Sequence, residues 1–79
     1  MEELQIGMLA ASKAGHDKGK IFVIVAFDGS GCYLSDGISR TVEKPKKKNL
    51  KHLQPIKVEV KKPISNETVK EAIRAYRRS

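Results

Sequence analysis

Apolar positions follow two different periods in this chain, and the change of period divides it. Up to about residue 60 they come in short runs separated by turns rich in glycine and lysine. Beyond Pro63 they recur with helical spacing. The run Ile21–Phe27, IFVIVAF, is unbroken and rich in β-branched residues, the pattern of a strand covered on both faces. Ile6–Ser12 reads as the strand before it and Cys32–Ser35 as the strand after it. Lys13–Gly19 is the loop between the first two. Asp28-Gly29-Ser30-Gly31 lies between apolar residues, a strong short-range hairpin signal. Asp36-Gly37 ends the third strand with another turn pair.

Ile38–Lys44, with Ile38 and Val42 as its apolar members, is the expected fourth strand, and Leu50–Ile56 the expected fifth. Pro45 cannot donate to a ladder, so Lys46-Lys47-Lys48 is expected at an edge or in a loop. Ile56–Lys61 alternates apolar and charged residues with period 2. It either extends the fifth strand or lies along the surface. Lys62-Pro63 breaks it. Ser65–Arg78 reads as a helix: Ser65 or Asn66 can cap it, and Glu67 suits its first turn. Val69, Ala72, Ile73 and Tyr76 form one apolar stripe at i, i+3, i+4 and i+7. Met1–Gln5 is expected to be a frayed lead-in.

Short strands with early tight turns predict a mainly β fold, a small five-stranded SH3-like barrel, followed by a C-terminal α-helix. Residues 1–60 form the barrel; residues 61–79 supply a linker and an amphipathic, basic helix packed on it. The chain has 79 residues, enough for one small domain with a thin core.

Charge adds a direction to this fold. The net charge is +7, and it is unevenly placed. Residues 1–39 carry 3 basic and 5 acidic residues, whereas residues 40–79 carry 13 basic and 4 acidic. A polyanion is the natural partner of such a surface. Two inter-strand segments concentrate the cations. The first holds Lys13, His16, Lys18 and Lys20 around Gly15 and Gly19. The second holds Arg40, Lys44, Lys46, Lys47, Lys48 and Lys51. Lysines bind phosphate as point charges, and amides in glycine turns add to them. Arg40 can fork onto a phosphate. A solvated polar turn and a flexible solubilising loop are the plain readings of the two segments. The shortage of neutralising acids in the second favours nucleic acid. Read this way, Lys46 and Lys47 are surface charges, and reversing both is expected to weaken binding with little change in folding. Gly15, Gly19, Gly29 and Gly37 are expected at turns, Gly19 with positive φ.

Cys32, the single cysteine, is expected to be a small buried apolar residue. His16 and His52 are isolated, so no metal site or cofactor is expected. No acid–base constellation, P-loop or activated nucleophile is evident, which points away from an enzyme and from a small-molecule substrate. The opening MEELQ does not read as a signal peptide, and no apolar run approaches a membrane span. A cytoplasmic protein is therefore expected.

Gly7, then SKAGHDKGK, an apolar strand, a glycine-rich turn and YLSDG together resemble a KOW motif. Such motifs occur in large-subunit ribosomal proteins and NusG-type elongation factors. The chain is most similar to small bacterial KOW-domain RNA-binding proteins related to a ribosomal family. The resemblance covers roughly Ile6–Ile56. Gly19 matches the motif's glycine, Lys18 and Lys20 its basic neighbours, and Asp36-Gly37 the acidic-Gly turn after the third strand. The segment KPKKKNLKHLQP strengthens it. The resemblance implies an SH3-like barrel that binds RNA, ribosomal RNA above all.

The other reading is an SH3-like protein-interaction module of the transcription or translation machinery. A proline-rich-peptide groove needs several aromatics. This chain offers Phe22, Phe27, Tyr33 and Tyr76, with the first two expected in the core strand. The same shortage argues against a base-stacking platform for single strands. Structured RNA, gripped through its backbone by both basic segments on one side of the barrel, is the partner that the sequence favours.

Overall fold

A computed structural model of the chain describes residues 4–78. The start of the expected lead-in, Met1–Glu3, lies outside them. Five strands form one antiparallel sheet: β1 (Met8–Ser12), β2 (Ile21–Asp28), β3 (Gly31–Ser35), β4 (Lys46–Asn49) and β5 (Leu53–Glu59). Their order is β4-β3-β2-β1-β5, so the first four make a meander and β5 returns to pair with β1. A 3-10 turn, Leu50–His52, carries the chain from one edge strand to the other. The sheet curls into the small barrel-like fold that the strand spacing predicts. The helix α1 (Asn66–Arg78) follows it.

The central position of β2 explains its unbroken apolar run. Phe22 and Ile24 point into the barrel with Ala10, Cys32, Leu34 and Leu53. Val23 points the opposite way, into a second cluster with Leu9, Val60, Val69 and Ile73. The last two belong to α1, so the helix covers the outer face of the sheet. Alternate residues of one strand thus feed two cores, as period-2 geometry requires. A register shift between Ile24 and Ala26 ends this arrangement. Past it the strand runs out of the core, and Phe27, expected inside, is 41% exposed near the hairpin tip.

Two expectations about strands are corrected: Ile38–Lys44 is not a strand, and the fifth strand starts at Leu53, not at Leu50, because Leu50–His52 is a 3-10 turn. Ile38–Lys44 is irregular, and Ile38 is 72% exposed. Its backbone is engaged locally: the Ile38 and Arg40 amides donate to Asp36 Oδ1, and the Asp36 amide donates to the Arg40 carbonyl. The Val42 amide donates to Asn66 Oδ1 on the helix at 2.8 Å. With those donors committed, no ladder forms there. The fourth strand is instead the lysine run, pairing Leu34 with Lys46 and Cys32 with Lys48. The sequence placed this run at an edge or in a loop; it is the edge strand. Of the alternatives for Ile56–Lys61, extension of β5 is the one observed, to Glu59. Pro55 is accommodated because β5 is also an edge.

Gly15, Gly19, Gly29 and Gly37 all have positive φ. Gly37 is the most constrained, because a Cβ there would lie 2.6 Å from the Asn66 carbonyl oxygen. Ser65 caps α1 reciprocally. Its Oγ accepts the Thr68 amide, while its own amide donates to Thr68 Oγ1.

Candidate functional site

The two cationic segments predicted from sequence meet, and the group that joins them is an acid. Asp17 lies in the β1–β2 loop and is only 5% exposed. Its Oδ1 accepts hydrogen bonds from Ser12 Oγ at 2.8 Å and from Lys48 Nζ at 2.8 Å. Lys46 Nζ sits 2.7 Å from Oδ2. In β4, Lys46 and Lys48 are two residues apart and therefore point to one face, while Lys47 points to the other. That alternation lets a short run of lysines straddle the sheet edge. Burial pushes the Asp17 carboxyl pKa up, but hydrogen bonds from Lys46, Lys48 and Ser12 outweigh it. The carboxyl is held well below the ordinary range, so Asp17 is ionised at neutral pH.

This cluster changes what the lysine run can do. Lys48 is 10% exposed along its side chain, and its ammonium also donates to the Ala14 carbonyl at 2.9 Å. It is tied up inside the fold. Lys46 retains 30% exposure and borders a surface cleft. Lys47 lies across the strand and pairs with Asp28 at 3.0 Å, while Tyr33 Oη donates to the same carboxylate at 3.4 Å. Lys46 and Lys47 were expected to be surface charges with little weight in stability. For Lys46 that expectation is overturned by the buried carboxylate that it neutralises together with Lys48.

The cleft beside this cluster is lined by His16, Lys20, Arg40 and Lys46, with Asp36 and Ser39 on its wall. Two of these side chains, His16 and Lys20, come from the first segment, and two, Arg40 and Lys46, from the second. Lys20 is positioned by its amide, which donates to the Asp17 carbonyl. Arg40 is positioned by the Asp36 carboxylate, which accepts its amide at 2.9 Å. Lys13, Lys18, Lys44 and Lys51 are exposed but do not line this cleft. Lys13 and Lys51 are close in the chain fold, since the Lys13 amide donates to the His52 carbonyl.

A second cleft adjoins the first and shares Lys20 and Asp36 with it. Its far wall is α1, through Lys70, Arg74, Arg77 and Arg78. Sequence reasoning left these four out of the site. Their signal was present: Lys70, Arg74 and Arg78 recur at i, i+4 and i+8, a basic row beside the apolar stripe. A separate, shallow apolar groove is lined by Val25, Ala26, Tyr33, Val42, Pro45 and Ile64. No protein-family model matches the chain.

Proposed function

We propose that this protein is a non-catalytic RNA-binding domain of the KOW kind that takes structured RNA through backbone phosphates. Ribosomal RNA is the first RNA to test. The observation that carries the reading is the convergence of His16 and Lys20 with Arg40 and Lys46 on one cleft. These residues come from two separate segments, the first singled out for its charge around two glycines and for its likeness to the KOW motif, the second for its charge run. Lys13, Lys18, Lys44 and Lys51 are exposed elsewhere on the surface and add to its positive charge without lining that cleft. Lys48 and Lys47 contribute through the fold instead, held by Asp17 and Asp28.

A peptide-binding module is less well supported. The apolar groove offers a single aromatic, Tyr33, where a proline-rich ligand needs several.

If about 5 phosphates are neutralised, log K falls against log[salt] with a slope of about −3.5 to −4.5. Titrating the protein with an RNA stem-loop across a salt series measures it. Lys20→Ala and Arg40→Ala should each weaken binding and make the slope shallower by about 1. Flat salt dependence, or full affinity in both variants, would reject the phosphate-grip reading.

A further inference from the structure

The cleft between α1 and the Asp36 loop has the chemistry to extend the RNA surface, and its orientation is fixed by the core. Val69 and Ile73 are buried against Leu9, Val23 and Val60. That burial sets the rotation of α1 about its axis. It thereby turns the Lys70–Arg74–Arg78 row and Arg77 toward Lys20 and Ile21 of β2. Among the described residues, Arg74, Arg77 and Arg78 form no ion pair, whereas Lys70 pairs with Glu67 at 3.1 Å. The acid in the shared wall, Asp36, is already engaged through Oδ1 by the Ile38 and Arg40 amides. Asp36 keeps its charge, so the cleft sets one acid against Lys20, Arg74, Arg77 and Arg78 and stays net positive.

We infer that this cleft holds the sugar–phosphate backbone of a double-stranded RNA, and that α1 is half of the RNA interface rather than only a cover for the barrel. The inference rests on the RNA-binding reading above and extends its footprint across Lys20. Two observations select a duplex over a single strand. No aromatic side chain lines the helix cleft. In the adjoining cleft Phe22 is 2% exposed, which leaves the imidazole of His16 as its one exposed ring. A run of unpaired bases would find a single imidazole ring, His16, to stack on, where single-strand platforms supply several aromatic rings. Duplex RNA is recognised by shape and backbone contacts, for which a track of Lys and Arg suffices. The remaining lining is aliphatic, with Ile38 72% exposed. An acidic protein segment would need that apolar contact; an RNA backbone would not.

The test uses the full chain and two RNAs of equal length, one a stem-loop with a stem of about 15 base pairs, the other unable to pair. Arg74→Ala/Arg77→Ala keeps the helix, because alanine has the highest helix propensity; circular dichroism and Tm verify this. We expect the wild type to prefer the stem-loop. The double variant should lose about tenfold in affinity or more, with a salt slope shallower by about 1.5 to 2. Ile38→Ser should leave both unchanged. An unaltered slope in the arginine variant, while Lys20→Ala still weakens binding, would overturn the helix assignment and leave the parent reading standing. Equal affinity for the unpaired strand would overturn the duplex assignment. A tenfold loss with Ile38→Ser and flat salt dependence would overturn the backbone grip, because binding would then rest on the apolar contact instead of on phosphate charge. Failure of the wild type to bind either RNA would overturn both readings.

Discussion

Asp17 is the residue on which the first loop depends. It sits in a sequence of lysines and glycines, where it looks like one more solvated charge. Within the fold it is 5% exposed and faces two ammonium groups and a hydroxyl. Removing it leaves Lys48 charged and nearly buried, the situation that makes a broken internal ion pair expensive. Asp17→Ala should therefore cost about 3 kcal/mol, the lower end of the range for such pairs because Lys46 keeps partial access to water. Urea melts at pH 7 measure it. Stability should also depend on pH in a defined direction. The folded carboxyl is held well below the ordinary range, while the unfolded one titrates near about 3.9. Below that value the unfolded chain binds the extra proton, so stability falls as acid is added. Asp17→Ala should flatten this fall between about pH 5 and pH 2.5. Asp28, lowered by its hydrogen bond from Lys47, and Glu43, lowered by its hydrogen bond from Asn66, retain part of it. An acid profile identical to the wild type would show that Asp17 is not the group responsible.

At the scale of elements, the segment between β3 and β4 shows what sequence patterning could and could not convey. Ile38 and Val42 have the spacing of a strand, yet Asp36 and Ser35 capture the backbone donors before a ladder can form. A short polar side chain that bonds its own neighbouring amides competes directly with strand pairing. Lys46–Asn49 has poor β propensity, yet it is a strand, because β3 needs a partner and Asp17 neutralises the inward-facing lysines. Gly37 locks this region to α1. A methyl group there would meet the Asn66 carbonyl at 2.6 Å and the Lys70 side chain at 2.8 Å, besides straining a φ of +78°. Gly19 has a φ of +90° but open space around it. Gly19→Ala should thus cost about 1 kcal/mol through backbone strain alone, and Gly37→Ala about 2 to 4 kcal/mol through strain and overpacking together. Thermal melts of the two variants give the comparison; equal losses would show that the contact between Gly37 and the helix is soft.

At the scale of the whole molecule, one sheet serves two cores, and the helix is required for the second. Val69 is fully buried and Ile73 nearly so, against Leu9 and Val23, both fully buried. Each such side chain stabilises by about 1.5 to 3 kcal/mol when buried. Losing several at once approaches the entire stability of a small domain, which starts at about 5 kcal/mol. A chain ending at Lys62 should therefore lose its fixed tertiary packing; collapsed NMR amide dispersion would show this. Well-dispersed spectra from the truncated chain would mean that the barrel stands alone. The same packing sets the surface electrostatics, since it turns the basic row of α1 toward Lys20.

The sequence by itself determined the period-2 strands around the β1–β2 and β2–β3 turns, the central place of β2, the glycine turns with positive φ at Gly19, and the extent of α1. Each of these is encoded within a few neighbouring residues: an apolar run, a glycine where a Cβ is strained, a cap followed by a 3.6-residue stripe. Tertiary structure alone decided that the lysine run would be an edge strand, that Asp17 would be buried to receive two of its cations, and that α1 would wall a cationic cleft. Those outcomes depend on which unpaired edge, buried charge or exposed sheet face lies nearby in space, and that information is spread over residues 17, 34, 46 and 74 rather than written at any one of them.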